Sequence, residues 1–200
     1  MSREILILCG VILIGVAVYN HIYNSWEYHG PGMLVVEEPV QRKIRQEPIL
    51  VQDFKIVPKA EFRIKARVLA KQNYKLGIEA KLSPMDLVLG WGPMSDDDVL
   101  SQVKITQDDR WYFVNYNRAP PIPHRQLLRH SGNMHMLPAS EEIFKELNRV
   151  GRGQVVEIAG YLVNVYRKDG WKWYTSLSRN DTGAGSCEVV WVEEFEILDQ

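Results

Sequence analysis

An uninterrupted apolar stretch near the amino terminus constrains this chain more than any other feature. Every residue from Ile5 to Val18 is apolar, and a helix that continues to Tyr23 also includes the polar residues Asn20 and His21. An α-helix over residues 5–23, at about 1.5 Å per residue, is roughly 28 Å long, which is close to the thickness of a bilayer core. The sequence therefore predicts a transmembrane helix over residues 5–23. A buried core helix is the alternative, but no face of the run is polar as in most soluble helices.

The flanking residues favour an uncleaved signal anchor over a cleaved signal peptide. Tyr19, Tyr23 and Trp26 resemble the aromatic belt of a membrane interface. Bulky residues follow Val18, where cleavage of a signal peptide requires small ones. Arg3 precedes the stretch and glutamates are the first charged residues after it. The positive-inside rule therefore predicts a cytoplasmic amino terminus and a carboxy-terminal domain outside the cytoplasm.

Changes in composition divide the rest of the chain into two parts. Prolines and the sequence Gly30-Pro31-Gly32 punctuate residues 24–58, so we predict a linker stiff enough to hold a domain away from a bilayer. Residues 59–200 are long enough to bury a core and are predicted to form one domain. Of the two cysteines, Cys9 lies in the predicted helix, so the domain contains no disulfide of its own.

Residue patterns in this domain predict an α+β fold. Apolar and charged residues alternate from Phe62 to Val68, which predicts a strand with one exposed face. Ser140 is a predicted N-cap for a helix over residues 141–149, one of two or three short helices. Residues 154–198 alternate over three segments, with Gly160 at a predicted bulge or corner. We therefore predict an N-terminal transmembrane helix followed by one soluble domain with a mostly antiparallel carboxy-terminal sheet, for which an oligonucleotide/oligosaccharide-binding (OB)-type barrel is one candidate.

Three histidines are the candidate metal ligands of the domain. His124, His130 and His135 are separated by six and five residues, whereas two imidazoles on one helix face are usually four residues apart. Structural hydrogen bonding in a proline-rich region is the alternative explanation. We therefore predict no bound metal and no cofactor, and we keep the three histidines as candidate binding residues.

Asp181 and two tryptophans are the other candidate site residues. Asp181 begins the sequence Asp-Thr-Gly-Ala, which resembles the catalytic tetrapeptide of retropepsin-like aspartic proteases. The apolar strand and the long domain that accompany this motif in that family are missing, so a polar loop is the simpler interpretation. Trp171 and Trp173 lie beside a predicted hairpin turn at residues 168–170. They could stack on a sugar ring or a peptide, with core packing as the alternative.

A set of short motifs occurs from residue 82 onward. The motifs are LSPMDLVLGWG at residues 82–92, Met94-Ser95-Asp96, Asn133-Met134-His135 with Pro138, Ser176-Leu177-Ser178-Arg179, Asp181-Thr182-Gly183 and Cys187-Glu188. With these motifs the chain resembles a family of uncharacterised bacterial proteins with one N-terminal membrane helix, and the likeness covers most residues from Gly30 onward. The resemblance implies a single-pass protein of the bacterial inner membrane, and it implies no activity and no site residues. With the orientation predicted from the charges, the carboxy-terminal domain is then periplasmic.

The balance of charges guides the choice among functions. The chain has 24 basic and 25 acidic residues and a formal net charge of -1, so no basic excess indicates a nucleic-acid partner. We predict a membrane-tethered binding domain, anchored through residues 5–23, whose partner is a protein or an envelope component. One alternative is an envelope hydrolase that uses the histidines with a metal, or Asp181. The other is an OB-like module that binds single-stranded nucleic acid through Trp171 and Trp173.

Overall fold

The structure is a computed structural model that describes residues 28–178 and 187–198, together with residues 5, 8–10 and 12–14. These residues fold mostly as β-sheet. Beyond the amino-terminal stretch, the described α-helices are α1 (Asp97–Leu100), α2 (His124–Arg129) and α3 (Glu141–Arg149). The described strands are β1 (Val40–Lys43), β2 (Ile49–Val51), β3 (Phe54–Asn73), β4 (Met85–Gly90), β5 (Lys104–Asp108), β6 (Trp111–Asn115), β7 (Ser131–Pro138), β8 (Val155–Arg167), β9 (Lys172–Trp173) and β10 (Glu188–Leu198).

Five strands close into a barrel because the long strand β3 has a different neighbour along each of its halves. Its first part pairs with β8 and its last part pairs with β4. The circuit continues from β4 to β7, from β7 to β10 and from β10 back to β8. Only the pairing of β7 with β10 is parallel. Numbered within the barrel, the strand order is 1-2-3-5-4-1 with α3 between the third and fourth strands, which is the connectivity of an OB-type barrel.

The alternation predicted for the first barrel strand is confirmed from Phe62 to Ala66, whereas Arg67, predicted on the exposed face, is fully buried. Phe62, Ile64 and Ala66 are buried in the barrel core, whereas Arg63 is exposed on the outer face. Period-2 alternation places successive side chains on opposite faces of a strand, so it is visible in the sequence wherever one face is exposed. The strand is longer than the pattern indicated, because Leu69 and its neighbours are buried on both faces.

The predicted bulge near Gly160 is also confirmed, and its extra residue lies in the neighbouring strand. Gly160 pairs with Val192 and the next pair joins Ala159 to Glu194, so Glu193 is the additional residue of β10. A Cβ atom on residue 160 would lie 2.0 Å from the backbone oxygen of Trp191. Only glycine allows this close approach of the two strands.

Two fold-level predictions are wrong. The α+β class is corrected to a predominantly β fold, and the barrel strands begin at Phe54 and end at Leu198 rather than in the carboxy-terminal third alone. The described part of the predicted linker is docked on the barrel, because β1 and β2 both pair with β3 and Val35 belongs to the core. The backbone N–H groups of His29 and Gly30 donate to the buried Asp97 carboxylate.

The amino-terminal stretch requires a further correction. Among the residues that the structure describes, no helix has the length and apolarity needed to cross a membrane. Of the predicted helix over residues 5–23, only residues 5, 8–10 and 12–14 belong to the described part, where they are helical. The prediction of a transmembrane helix and signal anchor is corrected on this finding.

An insertion between β4 and β7 covers one part of the outer barrel face. It contains α1, the β5–β6 hairpin and α2. Half-buried hairpin residues such as Tyr112 and Val114 pack against Val88 of β4 and Leu127 of α2. A second apolar cluster includes Leu137 of β7 and the residues that pack around β9. The outer face of β4 and β7 between these two clusters is polar, and the candidate site lies there.

Candidate functional site

The register of β4 and β7 places Asp86 directly opposite His135 on the outer face of the barrel. Asp86 is fully buried and His135 is 4% exposed. The Nδ1 atom of His135 lies 3.0 Å from Oδ2 of Asp86. The angle at this contact is not that of a hydrogen bond, although the distance is short. The contact is therefore primarily electrostatic, and it becomes an ion pair when the imidazole is protonated.

Arg110 reaches the same carboxylate from the turn of the β5–β6 hairpin. Its Nη1 donates to Oδ1 of Asp86 at 2.7 Å and to Oγ of Ser83 at 3.2 Å. Its Nη2 donates to the backbone oxygen of Ser83 at 2.9 Å. The guanidinium carbon lies 3.9 Å from the centroid of the Tyr74 ring and 5.5 Å from that of Trp173. Both properties of a guanidinium, its planar set of donors and its stacking face, are thus used here.

The turn that presents Arg110 has an unusual backbone for its sequence. Asp109 and Arg110 are the two central residues of the hairpin, with φ angles of 44° and 69°. Two-residue turns of this kind favour asparagine followed by glycine. A side chain other than glycine in this left-handed region loses roughly 1 kcal/mol. The contacts of the guanidinium offset this strain.

Asn133 and Tyr74 complete the polar cluster. Nδ2 of Asn133 donates to the backbone oxygen of Arg110 at 2.8 Å and lies 3.3 Å from Oδ2 of Asp86. Oδ1 of Asn133 accepts from Gln107 at 2.9 Å. The backbone N–H of Arg110 donates to the Tyr74 hydroxyl at 3.0 Å, and burial, followed by the charge of Asp86, raises the pKa of that phenol. The buried carboxylate thus has polar partners on both oxygens, as a buried charge requires.

A pocket of about 390 Å³ opens beside this cluster. It is bounded by the connection after β3, the tip of the inserted hairpin and the segment that contains β9. The connection after β3 joins the first and second barrel strands and the segment with β9 joins the fourth and fifth, and these two loops bind ligands in OB-type barrels. No described residue hydrogen-bonds the Nε2 atom of His135, so this nitrogen is available to a ligand. The pocket lining includes Tyr74, Glu79, Asp109, Arg110, His135 and Trp173.

The charges around the pocket favour cations over anions. Glu79 and Asp109 line it, and the buried Asp86 lies behind it. Arg110 is the arginine of the lining, and its charge is paired with Asp86 at 2.7 Å. With His135 neutral, this set of groups therefore carries a net negative charge. A phosphate would be repelled here, whereas an ammonium or guanidinium would be attracted to the acids and to the aromatic faces.

Two of the residues predicted from the sequence meet at this pocket. The rings of His135 and Trp173 have centroids 4.8 Å apart, with their planes inclined by 42°. Trp171 lies next to Trp173 with ring centroids 6.1 Å apart. Trp171 also packs edge-on against the buried Phe54, so it supports the wall and is not part of the pocket lining.

The other two candidate histidines do not join His135. Nδ1 of His124 lies 3.3 Å from the Tyr116 hydroxyl. His130 contacts the backbone oxygen of Gln126 at 2.9 Å and Glu38 at 3.4 Å. Within the described part of the chain, no group of three His, Cys, Asp or Glu residues could hold a metal ion. The hypothetical metal site of the three histidines is therefore not formed, and Asp181 lies outside the described residues.

The sequence analysis missed Asp86 and Arg110, the two central charges of the site. One feature of the sequence could have identified Asp86, because it is the single charged residue in the buried strand Met85–Gly90. Acidic residues are almost never fully buried without a partner, so an acid in such a strand indicates a paired site. Arg110 follows Asp109 in a two-residue turn where glycine is usual, which is a weaker signal.

Comparisons with known proteins add no assignment to this geometry. No protein-family model, no curated protein and no solved structure matches the chain. The resemblance stated from the sequence motifs is not tested by these comparisons. Function is therefore inferred from the charges and contacts at the pocket.

Proposed function

We propose that this protein is a binding domain whose pocket recognises a basic side chain of a polypeptide partner. The observation that carries this proposal is the lining of the pocket, where the rings of Tyr74 and Trp173 occur together with the acids Glu79 and Asp109. Aromatic faces attract a cation through the quadrupole of the ring. Neighbouring carboxylates add attraction and select against acidic ligands.

The size and surroundings of the pocket support a polypeptide partner. A volume of about 390 Å³ is sufficient for one long side chain and too small for a folded element. Leu76 in the lining is exposed, and Trp111, next to Arg110, is 41% exposed on the outer face of the hairpin. Phe113, two residues further along the same strand, is exposed as well. Exposed apolar surface of this kind is typical of sites that contact another protein.

The same charges disfavour the alternative of single-stranded nucleic acid. Proteins that bind single strands combine aromatic platforms with a basic groove along the phosphate backbone. Trp173 provides an aromatic face, but the acids of the lining outnumber its arginine. The position of the pocket on an OB-type barrel therefore supports ligand binding in general and not nucleic-acid binding in particular.

Tryptophan fluorescence of the full-length protein tests the proposal. The probes are the tripeptides Gly-Lys-Gly, Gly-Arg-Gly and Gly-Glu-Gly at equal ionic strength. We expect saturable quenching by at least one basic peptide with a Kd of roughly 1 mM, the range expected for one side chain, and no saturation by Gly-Glu-Gly. Glu79→Gln should weaken binding at least threefold, whereas the exposed Glu141→Gln on α3 should not change it. Equal responses to all three peptides, or none to either basic peptide up to 10 mM, would overturn the proposal.

A further inference from the structure

We propose that Arg110 is an intramolecular ligand of this site, and that the partner side chain that competes with it is an arginine. The proposal rests on the proposed function and specifies its ligand: a guanidinium in place of any cation. In this arrangement the β5–β6 hairpin places its own guanidinium where the guanidinium of a partner polypeptide binds.

The groups that hold the guanidinium all lie outside the hairpin. Asp86 belongs to β4, whereas Ser83 and Tyr74 belong to the connection that precedes it. Trp173 belongs to β9. The receiving site is therefore built by the barrel and its connections, and the hairpin contributes the ligand group. A second guanidinium that entered the same space would find the same acceptors and ring faces.

The chemistry of the site selects guanidinium over ammonium. Nη1 is within hydrogen-bond distance of two oxygens, and Nη2 donates to a third. The plane of the group simultaneously lies over the Tyr74 ring. A lysine ammonium is a compact charge without a flat face, so it cannot reproduce both sets of contacts at once.

The hairpin is attached to the barrel in a way that permits displacement of its tip. Its two strands form a sheet of their own, and no described backbone hydrogen bond joins β5 or β6 to a barrel strand. Side chains provide the attachment, chiefly the half-buried Ile105, Tyr112 and Val114 and the Gln107–Asn133 hydrogen bond. At the tip, the backbone of Arg110 is held by hydrogen bonds with the side chains of Tyr74 and Asn133. Displacement of the guanidinium would also release the positive φ of Arg110. Withdrawal of the tip therefore breaks side-chain contacts and leaves both sheets intact.

The buried carboxylate would keep partners while the two guanidinium groups exchange. Oδ2 of Asp86 lies 3.0 Å from Nδ1 of His135 and 3.3 Å from Nδ2 of Asn133. Arg110 contacts the other oxygen, Oδ1. An unpaired buried carboxylate would oppose the departure of Arg110. His135, in its protonated form, can compensate that charge during the exchange.

Replacement of Arg110 by glycine tests the inference in the full-length protein. Arg110→Gly removes the guanidinium and suits the positive φ of the turn, so the variant should fold. We expect Gly-Arg-Gly to bind this variant at least tenfold more tightly than it binds the wild-type protein, whose own arginine competes. Methylguanidinium should raise the Tm of Arg110→Gly more than methylammonium does at the same concentration. Arg118→Ala, an exposed arginine of the same insertion, should behave as the wild type.

The outcomes separate this inference from the proposed function. The assignment of Arg110 as an intramolecular ligand is overturned if Gly-Arg-Gly binds the wild type and Arg110→Gly with equal affinity. It is also overturned if methylammonium and methylguanidinium raise the Tm of Arg110→Gly equally. Binding to Arg110→Gly with none to the wild type at 10 mM also overturns it, because Arg110 would then be a permanent part of the structure. In each case the proposed function survives if Gly-Lys-Gly binds the wild type. If Arg110→Gly fails to fold, the same comparison is made with Arg110→Lys, for which we expect at least threefold tighter binding of Gly-Arg-Gly than for the wild type.

Discussion

The described part of the molecule contains two buried pairs of arginine and aspartate that differ in their surroundings. In the first, Nη1 of Arg67 lies 2.9 Å from Oδ1 of Asp97, and the two side chains are 0% and 2% exposed. In the second, Nη1 of Arg110 lies 2.7 Å from Oδ1 of Asp86, and the arginine is 16% exposed. The charges and distances are nearly the same. The neighbours of each pair therefore determine what it does.

The Arg67–Asp97 pair is enclosed by backbone groups. Arg67 donates to the backbone oxygens of Gly153 and Ser95. Asp97 accepts from the backbone N–H groups of His29 and Gly30. This pair fastens the amino-terminal segment and the insertion to the barrel. A pocket of about 280 Å³ also borders Asp97, but Arg67 is fully buried and is not part of its lining. The guanidinium of Arg110 instead has ring faces beside it and Arg110 itself lines a pocket, so a ligand can approach the cation. A guanidinium enclosed by backbone groups makes a permanent connection, whereas the proposed exchange requires one that a ligand can reach.

The largest expected effect comes from removal of the charge on Asp97. Asp97→Asn removes the carboxylate that lies 2.9 Å from the buried guanidinium of Arg67, and loss of one partner of a buried pair typically destabilises a protein by about 3–5 kcal/mol. Urea unfolding followed by circular dichroism measures the free energy of unfolding. Asp98→Asn, at an exposed neighbouring position, is the matched control and should change it by less than about 0.5 kcal/mol. A loss below about 1 kcal/mol for Asp97→Asn would show that the pair is not a structural connection.

A smaller loss is expected at the other pair. Arg110→Ala removes one contact of Asp86, but His135 and Asn133 remain beside the second carboxylate oxygen. We expect a loss of about 1–3 kcal/mol, the range for a buried polar group that loses one of its partners. Arg110→Gly should lose less, because glycine accepts the positive φ of the turn. If Arg110→Ala destabilises the protein as much as Asp97→Asn, the distinction between the two pairs fails.

Local features of this fold were predictable from the sequence, because neighbouring residues determine them. The alternation around Ile64, the helix Glu141–Arg149 with its Ser140 cap, the bulge at Gly160 and the hairpin between β8 and β9 are all present. Each depends on spacing or on one residue type within a short window. Their assembly was not visible, since the closure of β3 onto β8 joins segments about one hundred residues apart.

The candidate site was only partly predictable for the same reason. His135 and Trp173 were identified as polar or aromatic residues in unusual positions, whereas Asp86 and Arg110 were missed. Asp86 meets His135 only through the register of two strands separated by the insertion. Arg110 reaches them only because the hairpin packs on the barrel face. The convergence of the three histidines, which the sequence analysis kept only as an alternative, is not found, because proximity along the chain does not place side chains together.

Lys71 extends the comparison to a half-buried cation that has carbonyl partners and no carboxylate. Its Nζ donates to the backbone oxygens of Leu147, Asn148 and Val150 at 3.0, 2.8 and 3.1 Å, at the end of α3. These contacts favour the ammonium form, but burial has the larger effect and lowers the pKa of Lys71 to about 8 from 10.5. Between about pH 8 and pH 10.5, Lys71 is still protonated in the unfolded chain but has lost its proton in the folded chain. The free energy of unfolding should therefore rise with pH over that interval.

The difference between wild type and Lys71→Met isolates this effect. The raised pKa of Tyr74 acts in the opposite direction above pH 10, but it is present in both proteins and cancels. Urea unfolding at pH 7, 8, 9 and 10 should show the stability of the wild type increasing relative to the variant, with the change beginning near pH 8. If the difference in the free energy of unfolding between the two proteins does not change with pH, the three carbonyls fully compensate the effect of burial on the pKa of Lys71. A decrease would mean that they more than compensate it.

The smallest effect is expected for Arg63, which makes ion pairs on the exposed surface of the barrel. Nη1 of Arg63 lies 2.8 Å from Glu157, a distance like those of the buried pairs, and Nη2 lies 3.6 Å from Glu194. The arginine side chain is 55% exposed, and water and salt screen such contacts. Arg63→Ala should leave the urea midpoint unchanged within error at both 50 mM and 500 mM sodium chloride. A salt-sensitive loss as large as that of Arg110→Ala would show that distance outweighs enclosure in this protein. The contrast between the two buried pairs would then need another explanation than their surroundings.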